Sequence, residues 1–154
     1  METIRKLELQ DLKDLIDIRI HYQREKYKDV KINIDKLREE TEKYLNKGLN
    51  KDIYFFGTFV DDKLVSICGL YVSNYLPQVD DLIGNVGLIC SVYTYPTYRK
   101  RGYQHKTLEK VLQFAKLINI KRIHLTSSNE YAIKMYKKFG FDHSTDYFSH
   151  YENI

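Results

Sequence analysis

The segment of the sequence best suited to chemistry is a basic turn with a single glycine. Arg99, Lys100 and Arg101 precede Gly102, and an amphipathic segment begins at Tyr103. The N-terminus of a helix carries unpaired N–H groups and a partial positive charge, and both favour an anion such as a phosphate. Glycine lets the backbone adopt a positive φ or approach a ligand closely. The pattern therefore favours a pyrophosphate site at the start of a helix.

The basic turn has a simpler explanation as well. Many turns between a strand and a helix are polar and basic without binding a phosphate, so the pattern alone leaves both interpretations open. The sequence contains neither the G-x-x-x-x-G-K-[ST] string of a Walker loop nor the G-x-G-x-x-G string of a dinucleotide fold. The turn is therefore neither of these two common phosphate loops.

The elements that position this turn follow from hydrophobic periodicity. The pattern predicts strands over residues 3–9, 54–60, 64–72, 86–95, 122–126 and 141–151, and helices over residues 10–26, 35–45, 103–118 and 128–139. The nearly apolar segment 86–95 is expected to be a central strand covered on both faces. The fold class is therefore mixed α/β (α+β), with a central, mostly antiparallel sheet flanked by helices, in a single domain over residues 1–154.

The last predicted helix carries signals at both ends. Ser127 and Glu130 match a capping box at its start. Gly140 suits the position just after its end. The helix is expected to bury one face, which is made of Ala132, Met135, Tyr136 and Phe139.

Two motifs resemble those of the GNAT family of N-acetyltransferases. The run 99–104 looks like the family's acyl-coenzyme A loop, [Q/R]-x-x-G-x-[G/A], and Thr94-Tyr95-Pro96 stands where its V-x-P usually ends a strand. The second motif, N-x-x-A-x-x-x-Y-x-x-x-G-F, is matched by Asn129, Ala132, Tyr136, Gly140 and Phe141. The order of the predicted elements is also similar. The resemblance covers residues 54–141 by motif and the N-terminal third by topology, and it implies the GNAT-like acyl-CoA N-acyltransferase fold.

The resemblance also implies where acetyl-CoA binds. In such enzymes, loop amides hold the pyrophosphate, and the pantetheine pairs with the end of the central strand. The N–H of Val92 would then polarise the thioester carbonyl and stabilise the oxyanion. Gln104 departs from the small residue that is usual at the end of the loop. The implied cofactor-binding residues are Val92, Tyr93, Thr94, Arg99, Lys100, Arg101, Gly102, Tyr103, Gln104, His105, Asn129 and Tyr136.

Two of these residues have competing roles. The resemblance makes Tyr136 the general acid that protonates the departing thiolate, together with Val92 as the second catalytic residue. Periodicity alone would make Tyr136 a core residue, because it shares the apolar face of its helix. Asn129 is expected either to bind the cofactor or only to cap the helix.

The general base and the acceptor are not evident. The central strand carries no Asp or Glu, so a water relayed through backbone carbonyls, or an amine that arrives neutral, would have to suffice. Asp80, Asp81, Ser91 and Tyr27 are candidate acceptor-binding residues, although a solvated acidic loop is the favoured explanation of the two aspartates. The acceptor is expected to be a small-molecule or peptide amine.

Composition narrows the remaining classes. The 154 residues include 25 Lys and Arg against 21 Asp and Glu, and the net charge of +4 favours anionic ligands. Neither a signal peptide nor an apolar run of about 20 residues is present, so a cytoplasmic protein that does not bind a membrane is expected. Cys68 and Cys90 are expected to be reduced and buried. The five histidines show no metal-ligand spacing, so no metal is expected.

Three functions are compared on these grounds. The first is an acetyl-CoA-dependent N-acetyltransferase. The second is a non-catalytic acyl-CoA-binding or sensing module on the same fold, which Gln104 and the missing strand carboxylate favour. The third, a nucleic-acid-binding domain, is disfavoured by the near balance of charges. Dimers are common in the family, and the sequence does not decide between a monomer and a homodimer.

Overall fold

A computed structural model describes residues 1–143 of the chain. Within them lie five strands, β1 (Glu2–Lys6), β2 (Ile53–Val60), β3 (Lys63–Asn74), β4 (Asn85–Thr94) and β5 (Arg122–His124). The α-helices are α1 (Leu12–Lys26), α2 (Ile34–Gly48), α3 (Tyr103–Leu117) and α4 (Glu130–Lys138). Short 3₁₀ helices, Leu9–Asp11 and Pro96–Tyr98, lead into α1 and the α3 region.

The strands form one sheet in the order β1-β2-β3-β4-β5. The first four strands pair antiparallel, and β5 pairs parallel to β4. The predicted mixed α/β class with a mostly antiparallel sheet is therefore confirmed. A parallel neighbour needs a crossover connection, and α3 supplies it between β4 and β5.

The sheet separates two hydrophobic cores. On one face, α1 and α2 pack on the sheet through residues such as Leu15, Ile18 and Leu45. On the other face, Leu108 and Val111 of α3 pack with α4 against the sheet. The strands alternate their side chains between the two faces, so β4 contributes to both cores.

The prediction that β4 is covered on both faces does not hold along its whole length. Leu88 is 41% exposed within the described structure. The parallel pairing with β5 covers only residues 86–88 of β4, and it ends at the pair Leu88 and His124. Beyond this point the two strands no longer pair, and a cleft opens between them.

The capping box predicted at Ser127 was wrong, whereas the alternative that Asn129 caps α4 and the predicted end of the helix are both confirmed. The N-cap is Asn129, whose Oδ1 accepts a hydrogen bond from the Ala132 N–H at 3.0 Å. Ser127 instead accepts a hydrogen bond from the N–H of Asn129. Gly140 has φ of 88° and follows the helix, as predicted. Asparagine is as good an N-cap as serine, so sequence alone did not separate the two.

Other predicted elements are shorter or fall outside the described region. The strand predicted over residues 141–151 has no strand conformation at 141–143, and its other residues lie outside the described part.

Cys68 and Cys90 are free thiols; Cys68 is buried and Cys90 half-buried. Burial raises the pKa of both thiols. Each helix within residues 1–143 is too short or too polar to cross a bilayer.

Candidate active site

The centre of the candidate site is a β-bulge in β4. Ile67 of β3 pairs with Tyr93 and Gly69 pairs with Cys90, so Ser91 and Val92 together lie opposite Cys68. An extra residue in one strand bends it and redirects its side chains. Ser91 adopts φ of 50°, which is uncommon for a residue with a side chain. The apolar run of β4 gave no signal for this irregularity.

A cleft of about 1270 Å³ extends from the bulge toward the start of α3 and the side of α4. One wall is formed by the loop after β4, the first turn of α3, and α4. The opposite wall comes from α1, which contributes Tyr22, Glu25 and Lys26. The floor is the C-terminal half of β4, where the pairing with β5 has ended.

The basic turn gives the first turn of α3 an open N-terminus. Lys100 and Gly102 both adopt a left-handed conformation, with φ of 61° and 77°. A Cβ on Gly102 would meet no described atom within 4 Å, so the glycine is favoured by the backbone conformation and not by crowding. Gly102 is the N-cap and offers no capping side chain. This arrangement suits an anion bound by backbone N–H groups.

The cleft is strongly cationic. Among the described residues that line it, Glu25 is the single carboxylate. The cations that line it are Lys26, Arg99, Lys100, Lys134, Lys137 and Lys138. Such a donor set suits a ligand with several phosphate groups, which fits the phosphates of coenzyme A.

A hydrogen-bonded network joins α1 to the end of β4. The Tyr93 hydroxyl donates to Glu25 at 2.5 Å and lies 2.8 Å from Nδ1 of His21. Arg99 donates to both oxygens of Glu25, at 2.7 and 2.9 Å, and to the carbonyl of Thr94 at 3.0 Å. The Arg99 side chain is therefore directed toward Glu25 of α1.

The same network sets the ionisation of its members. Burial opposes the charge of Glu25, but the hydrogen bonds from Tyr93 and Arg99 outweigh it, so the pKa of Glu25 is lowered. Burial and the hydrogen bond to Glu25 raise the pKa of Tyr93. At neutral pH, Glu25 is thus an anion held by two donors, which makes it a weak candidate for a general base.

Tyr136 lies both in a hydrophobic core and at the cleft. Its side chain is 6% exposed and packs in the core on the α3 and α4 side, and it also lines the cleft. Burial, together with Cys68 and Tyr22 nearby, raises the pKa of Tyr136 to about 12. No hydrogen-bond partner for its hydroxyl lies among residues 1–143. The phenol is therefore protonated at neutral pH and carries a proton to donate.

Most of the predicted site residues are brought together by the fold. Ser91 of the bulge lines the cleft, together with residues at the end of β4 and at the start of α3. The predicted cofactor-binding residues that line the cleft are Val92, Tyr93, Thr94, Arg99, Lys100, Gly102, Tyr103, Gln104, His105, Asn129 and Tyr136. Asn129 lines the cleft while its Oδ1 caps α4, so that oxygen is already engaged.

Four predicted residues do not line the cleft in the described structure. Asp80 forms an ion pair with Arg122 at 2.5 Å, and Asp81 is buried and accepts a hydrogen bond from the N–H of Gly84. The guanidinium of Arg101 lies 5.5 Å from the ring centre of Tyr98.

Tyr27, the fourth of these residues, follows α1 and is 42% exposed. Asp80 is held by Arg122 of β5 and Asp81 by the N–H of Gly84 in its own loop, so both carboxylates already have partners. The cleft and these residues are thus separate features.

The sequence identified neither Glu25, which lines the cleft, nor Arg19, which contacts the lining residue Ser91. The contact of Glu25 with Arg99 joins residues 74 positions apart, and that of Arg19 with Ser91 joins residues 72 apart. Nothing in the local pattern of α1 marks either side chain. The lysines of α4 that line the cleft were visible in the sequence as Lys134, Lys137 and Lys138, at helical spacing.

Comparisons with known structures give close matches of fold. A predicted acetyltransferase from Clostridium acetobutylicum, crystallised with acetyl-CoA, superposes with a TM-score of 0.85 and 24% identity, over 98% of this chain and 96% of the other. An aminoglycoside acetyltransferase from an uncultured soil metagenomic sample, in complex with sisomicin, gives 0.74 and 18%, over 99% and 96%. A glucosamine-6-phosphate N-acetyltransferase from Arabidopsis thaliana gives 0.69 and 18%, over 99% of each chain.

The sequence matches the model of a whole family but no individual curated protein. A search of curated proteins found no match. The family model described as acetyltransferase (GNAT) family matches residues 15–141, which contain α1, the bulge, the basic turn and α4. The chain therefore belongs to the acetyltransferase (GNAT) family.

Proposed function

We propose that this protein transfers the acetyl group of acetyl-CoA to a primary amine by direct attack. The observation that carries the proposal is a single cleft that joins the bulged end of β4 to the open, cationic N-terminus of α3. Relatives of the same fold support it: one was crystallised with acetyl-CoA, and two are named for amine substrates.

The residues around the basic turn would hold the phosphates. The N–H groups of the first turn of α3 have no side-chain cap and face an open site at Gly102. Lys100 and the lysines of α4 would add charge around them. The pantetheine would run along the end of β4, because that edge has lost its pairing with β5.

The proposed chemistry needs few side chains. The amine nitrogen attacks the thioester carbon, the C–S bond breaks, and the sulfur leaves as a thiolate. The N–H of Val92, in the bulge, would stabilise the oxyanion, and Tyr136 would donate its proton to the sulfur. Glu25 is engaged by Arg99 and Tyr93, so water is expected to take both amine protons, one from the ammonium before attack and one from the nitrogen of the tetrahedral intermediate. Tyr136 would regain its proton from water after coenzyme A has left as the thiol.

Two measurements test the proposal. A ligand that binds only the folded state at a hundredfold excess over Kd stabilises it by about 2.7 kcal/mol. We expect acetyl-CoA and free coenzyme A, but not ATP, to raise the melting temperature by several degrees. Thiol release in the presence of a panel of amines then tests turnover.

The two measurements also separate the candidate functions. Stabilisation together with amine-dependent thiol release supports the acetyltransferase. Stabilisation without release for any amine in the panel would favour the non-catalytic acyl-CoA-binding module. Absence of stabilisation by either coenzyme A ligand would contradict the proposed function.

A further inference from the structure

The α1 wall of the cleft carries a stripe of side chains that ends at the bulge. Arg19, Tyr22 and Lys26 are spaced three and four residues apart, which places them on one face of the helix. Tyr22 and Lys26 line the cleft. Arg19 donates a hydrogen bond from Nη1 to Oγ of Ser91 at 2.5 Å, and Ser91 lines the cleft as well. Arg19 is not itself a lining residue of the cleft, and its guanidinium lies one hydrogen bond behind Ser91, on the α1 side of the bulge.

Arg19 differs from most other arginines of the chain. Arg5, Arg38, Arg99 and Arg122 each pair with an aspartate or a glutamate. Arg19 is half-buried, and no carboxylate within residues 1–143 lies at ion-pair distance from it. A partly buried charge is costly unless it is paired. A ligand that brings a negative charge would remove this cost.

The cleft itself offers no negative charge to Arg19. The single carboxylate among the described lining residues is Glu25, and it is held by Arg99 and Tyr93. A guanidinium has five donors in a planar fork, and the contact with Ser91 uses one of its N–H groups. The geometry of the fork matches a carboxylate or a phosphate group through two parallel hydrogen bonds.

We infer that the acceptor is an amine that also carries an anionic group, a carboxylate or a phosphate ester, and that Arg19 binds this group beside the bulge. Lys26, on the same stripe, adds a second positive charge at the mouth of the cleft. Polycationic amines would be poor acceptors, because the wall they approach repels them. This inference rests on the proposed function and names the class of its acceptor.

The test compares matched pairs of acceptors at saturating acetyl-CoA. Glucosamine 6-phosphate is paired with glucosamine, and an α-amino acid is paired with its amide, so that the two pairs distinguish a phosphate from a carboxylate. Thiol release gives kcat/KM for each compound. We expect the anionic member of at least one pair to be preferred by roughly 10-fold or more, the gain typical of a hydrogen bond to a charged group.

Substitution of Arg19 then assigns the preference to its side chain. Arg19→Gln should lower kcat/KM for the preferred anionic acceptor by roughly 10- to 100-fold and leave that of its neutral partner within about twofold. Arg19→Lys keeps the charge and should retain part of the preference. Arg38→Gln is the matched control, because it also removes one guanidinium, but from an ion pair with Asp17 that has no contact with Ser91 or the bulge.

Three results would overturn the inference. The first is that neither anionic member is acetylated faster than its neutral partner. The second is that Arg19→Gln lowers both members of a pair equally, which would assign Arg19 to holding the bulge through Ser91. The third is a preference for a polycation such as spermidine. If acetyl-CoA still stabilises the protein and amines are acetylated, these results leave the proposed function intact. If the unsubstituted protein does not bind acetyl-CoA, both the proposed function and this inference are overturned.

Discussion

The two walls of the cleft are built in different ways. The wall of α3 and α4 depends on backbone conformation: a left-handed Gly102, an uncapped helix N-terminus and a capped α4. The wall of α1 depends on side-chain contacts with β4 and the loop after it, such as Arg19 to Ser91 and Glu25 to Arg99. The first wall suits a ligand recognised through its phosphates, and the second suits a ligand recognised by its particular charge and shape.

This difference distinguishes the part of the cleft that suits phosphate ligands in general from the part that is free to select a particular acceptor. Backbone N–H groups at a helix start bind any phosphate of the right size, so one short motif is sufficient to specify them. Side-chain contacts across 70 or more residues change with single substitutions and are free to select one acceptor. We therefore expect substitutions in the first wall to affect every acceptor and substitutions in the second wall to affect some.

The largest effect is expected from Tyr136→Phe in the first wall. Removal of a general acid costs roughly 10²- to 10⁴-fold in rate. The ring remains, so packing against Phe141 and the core should be retained. We expect kcat to fall by about 10²-fold or more with every acceptor, and the stabilisation by acetyl-CoA to be unchanged. Steady-state thiol release and a thermal shift measure the two quantities.

A matched control for this change is Tyr75→Phe, which removes a hydroxyl from a residue that is 62% exposed in the loop between β3 and β4. It should alter neither quantity. If Tyr136→Phe retains full turnover, Tyr136 is a core residue alone, and the acid is another group or water.

The second largest effect is expected from Gly102→Ala. A residue with a Cβ at φ of 77° is strained by about 1–3 kcal/mol, although no described atom crowds the new methyl group. We expect the KM for acetyl-CoA to rise about 10-fold or more for every acceptor, because the turn that presents the N–H groups shifts. Gly102→Asn, which tolerates the left-handed region better, should recover part of the loss. Equal KM values for the Ala variant and the unsubstituted protein would contradict a role for this conformation.

Features that depend on local sequence signals were predicted, and features that depend on contacts with distant residues were not. Gly102, Tyr136 and Gly140 were placed correctly because helix ends and the two motifs are local signals. The bulge at Ser91 was not foreseen, since β4 reads as an uninterrupted apolar run and an extra residue in one strand is visible only against its partner. Asp80 and Asp81 do not line the cleft, and charge alone does not show whether a carboxylate faces a ligand or another part of the chain.

A smaller effect, on stability, is expected from Asn129→Ala. Loss of an N-cap costs about 0.5–2 kcal/mol, which corresponds to a few degrees in melting temperature for a chain of this size. Asn129→Ser keeps an oxygen for the N–H of Ala132 and should restore stability. Thermal unfolding without ligand measures the cap, and the KM for acetyl-CoA measures a contact with the cofactor. A raised KM in the Ser variant at full stability would show that the amide itself binds acetyl-CoA.

The smallest effect is expected from Glu25→Gln in the α1 wall, and it should depend on pH. In the folded protein the pKa of Glu25 is lowered from its ordinary value of 4.5. Its ion pair therefore contributes fully to stability above pH 4.5, and this contribution is lost as the pH falls through the pKa of the folded state. Both partners are more than 40% exposed, so the contribution is under about 1 kcal/mol. Urea unfolding should thus show a small loss of stability for Glu25→Gln at pH 7 that shrinks toward pH 3. Glu109→Gln, on the exposed face of α3, is the control for loss of a charge. A difference that grows toward acidic pH would mean that Glu25 is protonated in the folded protein, and would return it to consideration as the general base.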